Sequence, residues 1–264
     1  MRAALSPWEG IRTECRVISA LMLRETITRY GRHDVGVLWL LFEPMLFTTG
    51  VIALWDLVFP HAPTSIPMVG IAITGYSCIL LWRNTVGHST HSIRPNTALL
   101  YHRPVRPIDC LLARVGLEVI GATASFAILT FFFAFIEVIP WPEDLMPVIV
   151  GWLLMCWWAM AMAMILCSAA ERSEFAGRIW NIVSYLLMPV SGAAYMVYWL
   201  PPSYREWALL IPMVHGTELI RLGFFGNTVP TFGNPYYFAC SNLVATLLGL
   251  AMMRDISSKV QASW

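Results

Sequence analysis

Residues 35–59 read VGVLWLLFEPMLFTTGVIALWDLVF, an apolar run long enough to cross a bilayer as a helix. A hydrocarbon core of about 30 Å needs about 20 helical residues at roughly 1.5 Å each. Five more such runs follow, over 68–87, 108–136, 148–170, 179–200 and 236–253, the second reaching span length only when it is extended through Gly87. A buried core helix accounts for one such run, but not for six in 264 residues. The expected fold class is therefore an all-α integral membrane protein with six transmembrane helices. Composition agrees: 12% of the residues are charged, against about 25% in a soluble domain. A net charge of +1 points to no nucleic-acid partner. The six cysteines are scattered, without a CxxC pair, so neither a disulfide framework nor a zinc site is indicated.

Arginine placement orients the chain. Residues 1–34 hold Arg2, Arg12, Arg16, Arg24, Arg29 and Arg32, and the connection after the second run holds Arg83, Arg94, Arg103, Arg106 and Arg114. The intervening 61–67 connection has no basic residue, and Glu137–Pro147 has three acids and no base. Alternation then puts both termini in the cytoplasm. One segment resists the count. Residues 207–225, WALLIPMVHGTELIRLGFF, are apolar enough for a seventh span. If they crossed, Arg254 and Lys259 would fall outside. His215, Glu218 and Arg221 would also sit at membrane depth on one helical face, at about 2.5–3.5 kcal/mol for each unpaired charge. Pro212 and Gly216 weaken a continuous helix as well. The expectation is a re-entrant helical hairpin over 203–228, dipping in from the periplasmic side, where non-helical backbone must be buried in protein or line a cavity.

Before the first span, Ile11, Cys15, Ile18 and Met22 recur at helical spacing opposite Glu9, Arg12 and Arg16. Residues 8–32 thus read as an amphipathic interface helix, with Glu25 and Arg29 placed to pair at i, i+4. Either it only anchors the chain, or it guards the point where a lipid-linked substrate is loaded. In the longest inner connection, Pro95 suits the first turn of a short helix and Pro104 and Pro107 stop it. A helix that short needs something to pack against, so the loop 94–104 packs either on the span ends or on a cytoplasmic partner. Residues 169–178 form a second, smaller inner segment.

Known chemical motifs are missing. There is no P-loop, so the chain cannot itself cradle ATP phosphates, and there is no nucleophile elbow or zinc-protease motif. A metal pair at His88 and His91 is weaker than interfacial hydrogen bonding as an explanation. Glu43, before Pro44, reads either as a polar lining residue or as a carboxylate bonding backbone groups freed by the proline. Tyr195, Tyr198 and Trp199, like Trp152, Trp157 and Trp158, read as interface belts or as faces for sugar rings. A membrane enzyme of glycolipid metabolism would show clustered His, Asp or Glu at one interface, and that signature is not found.

Residues 21–46 carry a more specific pattern. Arg24, Glu25, Arg29, Tyr30 and Arg32 follow R-E-x-x-x-R-Y-x-R, and Gly36, Leu38, Trp39, Leu41, Glu43 and Pro44 follow G-x-L-W-x-L-x-E-P. This resembles the opening of the membrane subunits of bacterial polysaccharide ABC exporters of the second exporter class, nearest the capsular-polysaccharide permeases of the KpsM type. O-antigen or teichoic-acid permeases, and small-lipid or drug permeases, share that scaffold. The resemblance implies a multi-pass inner-membrane transport subunit, not an enzyme, that pairs with a second copy of itself. It implies that ATP and Mg are bound in a separate nucleotide-binding subunit. Periplasmic co-polymerase or adaptor and outer-membrane export partners are implied too, along with a lipid-linked anionic polysaccharide cargo and contact with membrane lipid. Expected substrate-loading or lining residues are Arg24, Arg29, Tyr30, Arg32, Glu43, Tyr195, Tyr198, His215, Glu218 and Arg221. Expected contacts to the ATPase subunit are Arg94, Asn96, Tyr101, His102, Glu171 and Arg172.

Overall fold

The computed structural model describes residues 7–30, 34–58, 66–97 and 105–262. Among them are nine α-helices: α1 (Pro7–Tyr30), α2 (Asp34–Val58), α3 (Met68–Ser89), α4 (Pro107–Phe135), α5 (Leu145–Arg172), α6 (Glu174–Val190), α7 (Pro202–Leu209), α8 (Pro212–Phe225) and α9 (Pro235–Ala262). Short 3₁₀ turns lie at Arg94–Asn96, Val197–Trp199 and Gly226–Thr228. Five of the helices, α1, α4, α7, α8 and α9, open on proline. At that position the missing N–H costs nothing and the fixed φ is already helical. Side-chain caps complete two starts, that of α5 and that of the proline-headed α9. Asp144 accepts from the Met146 N–H at 2.8 Å before α5, and Asn234 accepts from the N–H groups of Tyr236 and Tyr237 at 3.0 and 3.1 Å at the head of α9.

Helix α5 is the hub, packing on α9, α8, α3, α6 and α4, while α3 threads between α2, α4, α5 and α8. The core runs through Ile71, Ile73, Leu81 and Trp82 of α3 to Met155 and Ala159 of α5 and Phe238 of α9. Outward-facing Leu46, Leu57, Phe131, Leu153, Leu186 and Leu247 give the bundle an apolar flank, the surface expected of a body solvated by lipid.

Among the described residues, four helical stretches are long and apolar enough to cross a membrane: Leu38–Trp55, Pro107–Phe135, Leu145–Arg172 and Pro235–Ile256. The runs expected at 68–87 and 179–200 do not join them. Helix α3 carries Arg83, Asn84 and His88 and is buried almost continuously from Gly70 to Trp82. A helix sheathed by protein need not be uniformly apolar. The 179–200 run is not one helix. Helix α6 ends at Val190 after Pro189, and the chain turns at Gly192, whose φ is +80°, into extended backbone and the turn at Val197–Trp199. This irregular stretch presses against α3 so closely that a Cβ on Gly75 would stand 2.2 Å from the Ala193 carbonyl oxygen. The inner connection expected at 171–178 shrinks to a break at Ser173 between α5 and α6. The 202–228 stretch is bent: Pro202–Leu209 and Pro212–Thr228 meet at 106°, with the break at Pro212.

Packing sorts the charges by end. Contacts between Arg106 and Glu14, Arg114 and Glu25, Arg94 and Glu171, and Arg172 and Asp255 draw α1, the turn after α3, the start of α4, the end of α5 and the tail of α9 together at one end. The opposite end holds Glu137, Glu143, Asp144 and Glu206, with the α7–α8 bend. There the Asp144 N–H donates to the Gly223 carbonyl at 3.0 Å.

Candidate functional site

At the arginine-rich end, α1 lies along α4 through Val17, Ile18, Leu21 and Met22, which close over Cys110 and Ala113. The apolar face read from Ile11, Cys15, Ile18 and Met22 is therefore split. Ile18 and Met22 meet α4, whereas Ile11 and Cys15 stay exposed along with Trp8 and Leu23. The last turns of α1 meet polar groups. Arg24 Nη1 donates to Asn96 Oδ1, and Arg114 Nε stands 2.7 Å from Glu25 Oε1, with both side chains largely buried. Glu25 thus pairs across to α4; the pair expected with Arg29 lies outside the described side chains. Arg114 Nη1 also donates to the carbonyls of His88 at 2.9 Å and His91 at 3.3 Å, capping the end of α3 and the turn beyond it. One turn further along α4, Glu118 Oε1 lies 2.9 Å from His88 Nδ1. Arg24, Glu25, Thr28, His88, Pro95, Asn96 and Arg114 enclose a cavity of about 330 Å³. Among the described residues no cluster of His, Cys, Asp and Glu could hold a metal ion.

The turn Arg94–Asn96 sits beside this cavity. Asn96 is buried, its Nδ2 donating to the Ser92 carbonyl at 2.7 Å while its oxygen receives Arg24. Asn96 therefore faces into the protein and anchors the turn, leaving Arg94 and Pro95 on the surface. Arg94 Nε reaches Glu171 Oε2 at 3.7 Å, so the two inner segments read separately in the sequence form one surface. Arg172, exposed beside them, pairs with Asp255 at 2.9 Å. Tyr101, His102, Arg32 and the side chains of Arg29 and Tyr30 lie outside the described residues. Glu43 is exposed on α2.

The second polar cluster is built on α8. His215, Glu218 and Arg221 share one face, and all three are buried. Arg221 donates to the Tyr195 carbonyl at 2.7 Å and the Ala193 carbonyl at 3.1 Å and lies 3.5 Å from Glu218. Glu218 accepts from the N–H groups of Val197 at 3.4 Å and Phe232 at 3.2 Å. His215 takes the Asn234 N–H on Nδ1 at 3.0 Å and donates from Nε2 to the Leu209 carbonyl at 2.8 Å. Each side chain therefore satisfies backbone that has left regular helix, which is the condition for irregular backbone at depth. Tyr195 donates its hydroxyl to the Val190 carbonyl at 3.0 Å, and the Tyr198 and Trp199 rings meet edge-on at 5.9 Å. Arg205, which sequence reasoning passed over, donates to the carbonyls of Tyr198 and Leu200, both at 3.1 Å, and covers the Phe232 ring at 4.7 Å. Arg114 likewise stands in the sequence only as a topology signal, because its partners come from two distant stretches of chain, α1 and the exit of α3.

The family described as ABC-2 type transporter matches residues 16–225, from the middle of α1 to the end of α8. The chain belongs to the ABC-2 type transporter family. Relatives of this ABC-2 chain align along nearly its whole length. The capsule polysaccharide export inner-membrane protein CtrC of Neisseria meningitidis serogroup B is 42% identical over 254 residues, covering 96% of each chain. The capsule polysaccharide export inner-membrane protein BexB of Haemophilus influenzae is 37% identical over 253 residues, again 96% of each. The polysialic acid transport protein KpsM of Escherichia coli is a more distant relative, 22% identical over 249 residues, with 93% of this chain and 95% of the other aligned. Arg24, Glu25 and Arg114 of the first cluster and His215, Glu218 and Arg221 of the second fall within the matched family region.

Proposed function

We propose that this ABC-2 chain is the permease subunit of an ATP-driven exporter that moves a lipid-linked, anionic capsular polysaccharide across the bacterial inner membrane to the periplasm. The observation that carries this reading is the 42% identity, end to end, to a capsule polysaccharide export inner-membrane protein. The chain would cross the membrane six times with both termini cytoplasmic, α3 and α6 serving as the second and fifth spans. Supporting that count, the segments bearing Arg24, Arg94, Arg106, Arg114 and Arg172 converge at one end of the bundle, as the positive-inside rule requires. The α7–α8 bend would be the re-entrant element at the periplasmic face, and its His215, Glu218 and Arg221 would hold its shape.

Two copies would pair, and each would dock on a nucleotide-binding subunit that supplies ATP hydrolysis. The docking surface would comprise Arg94, Tyr101 and His102 of the first inner loop with Glu171 and Arg172 of the second. Arg24, Arg29 and Arg32, at the junction of α1 and α2, would attract the anionic headgroup of the cargo at the depth where it is loaded, each on the order of 1 kcal/mol. Arginine suits carboxylate or phosphate because its planar fork binds both oxygens of either. Periplasmic and outer-membrane export partners would receive the polymer.

The test is complementation. In a capsulated strain lacking its permease gene, the chain supplied with its ATPase subunit should return polymer from the cytoplasm to the cell surface. A correctly inserted chain that leaves all polymer inside the cell would overturn the proposal.

A further inference from the structure

We propose that Arg114 is a positioning residue that makes the loading helix α1 and the ATPase-facing turn at residues 94–97 move as one body. This rests on the functional reading above, in which α1 meets the cargo and the turn meets the ATPase subunit.

The geometry carries the inference. Arg114 sits on α4, between two elements that are far apart in the chain. Its Nε faces Glu25 of α1 at 2.7 Å. Its Nη1 donates to the carbonyls of His88 and His91, at the exit of α3 that leads into the turn. One guanidinium thus holds both elements, from a site where its side chain is only 18% exposed and Glu25 only 15%. Screening is weak at such burial, so the contact is stronger than a surface pair. Nε makes no aligned hydrogen bond to Glu25, so that contact acts as a buried ion pair, and direction is fixed by the two Nη1 bonds to the His88 and His91 carbonyls. The turn has other ties, but these run to α5: Ser92 to Cys167 at 3.4 Å and Arg94 to Glu171 at 3.7 Å. Among the described residues, the links between α1 and the α3 exit are the Arg24–Asn96 bond and the Arg114 clamp. Apolar packing of Val17, Ile18, Leu21 and Met22 holds α1 against α4, but such packing lets a helix slide or roll. The clamp fixes its register. A displacement imposed on the turn during the ATP cycle is then delivered to α1 without loss.

The test uses the full permease with its ATPase subunit, reading polymer at the cell surface and phosphate release by membrane vesicles that carry the complex. Arg114→Gln should still assemble and hydrolyse ATP within about twofold of wild type, while surface polymer falls roughly fivefold or more, the scale of an ordinary coupling free energy. A covalent bridge should replace the clamp. Thr28 on α1 and Pro95 on the turn both line the cavity that Arg114 lines. In a background with the exposed Cys15 and Cys240 changed to serine, Thr28→Cys and Pro95→Cys can be joined by a short, cleavable bifunctional thiol reagent. Joining them should restore export to Arg114→Gln and leave export by the chain with Arg114 intact. Wild-type export by Arg114→Gln would overturn the proposal. So would loss of export on bridging the Arg114-containing chain, with recovery on cleavage, since the two elements would then have to separate. If Arg114→Gln does not accumulate, this second arm still decides. Failure of the underlying reading looks different: the unaltered chain would then export no polymer, whatever the state of the bridge.

Discussion

Removing the Arg221 guanidinium should destabilise the whole region around the α7–α8 bend, because its partner would be stranded. Arg221 is 0% exposed and Glu218 is 1% exposed. At their 3.5 Å separation, an effective dielectric near 20 gives an attraction of about 5 kcal/mol. That attraction offsets the cost of taking both charges out of solvent, so the pair as a unit contributes little net stability. Breaking it is another matter. Arg221→Met leaves Glu218 with only the Val197 and Phe232 N–H groups, and takes the donor from the Ala193 and Tyr195 carbonyls. The expected loss is about 3–5 kcal/mol, which lowers the melting temperature by on the order of 10 °C. Thermal unfolding of the purified chain in detergent, followed by tryptophan fluorescence, measures this. Adding Glu218→Gln to Arg221→Met removes the stranded charge, keeps an acceptor oxygen, and should recover half or more of the loss. A double variant that melts as low as Arg221→Met would refute the electrostatic argument and leave packing of the long side chain as the cause. A single variant melting within about 2 °C of wild type would refute the burial argument altogether.

Other expectations follow from the same geometry. Gly75→Val places a side chain where even a Cβ would meet the Ala193 carbonyl at 2.2 Å; it should cost about 1–3 kcal/mol or more by overpacking, read as a lower melting temperature and reduced accumulation. Tyr101→Ala should weaken co-purification of the ATPase subunit and lower export while membrane insertion is unchanged, because aromatic anchors supply much of an interface's energy; crosslinks from residues 94–102 that reach only lipid or the permease itself would exclude this contact. Replacing Arg29 and Arg32 by lysine keeps the topology signal but not the fork, so insertion and ATPase binding should persist while surface polymer falls; undiminished export would assign these side chains to topology alone. Cysteines placed at 226–235 should react with an impermeant reagent from outside and those at 94–97 should not, and the reverse pattern at 226–235 would overturn the re-entrant assignment.

The sequence by itself determined the class of this protein, because hydrophobic length is a local property and bilayer thickness turns it directly into helices. The break at Pro212 and the motif spanning Arg24 to Pro44 were legible for the same reason, each being encoded within a few neighbouring residues. Arginine distribution was equally legible, since it is summed segment by segment along the chain. Tertiary structure decided where polar groups find partners. Apolar content carried the predicted 179–200 run past Pro189 and Gly192, although the helix ends at Val190. The freed carbonyls there are met by Arg221, which lies outside that run, and are accommodated by Gly75 on α3. Spacing along α1 offers Glu25 a partner four residues on, but it cannot show Arg114, on another helix, which stands 2.7 Å from it. Asn96 was read as facing a partner subunit, yet it turns inward to Arg24. Local spacing shows which side chains share a helical face, but a buried polar group binds whichever donor or acceptor the packed bundle brings within reach, and that neighbour is fixed only when all the helices are in place.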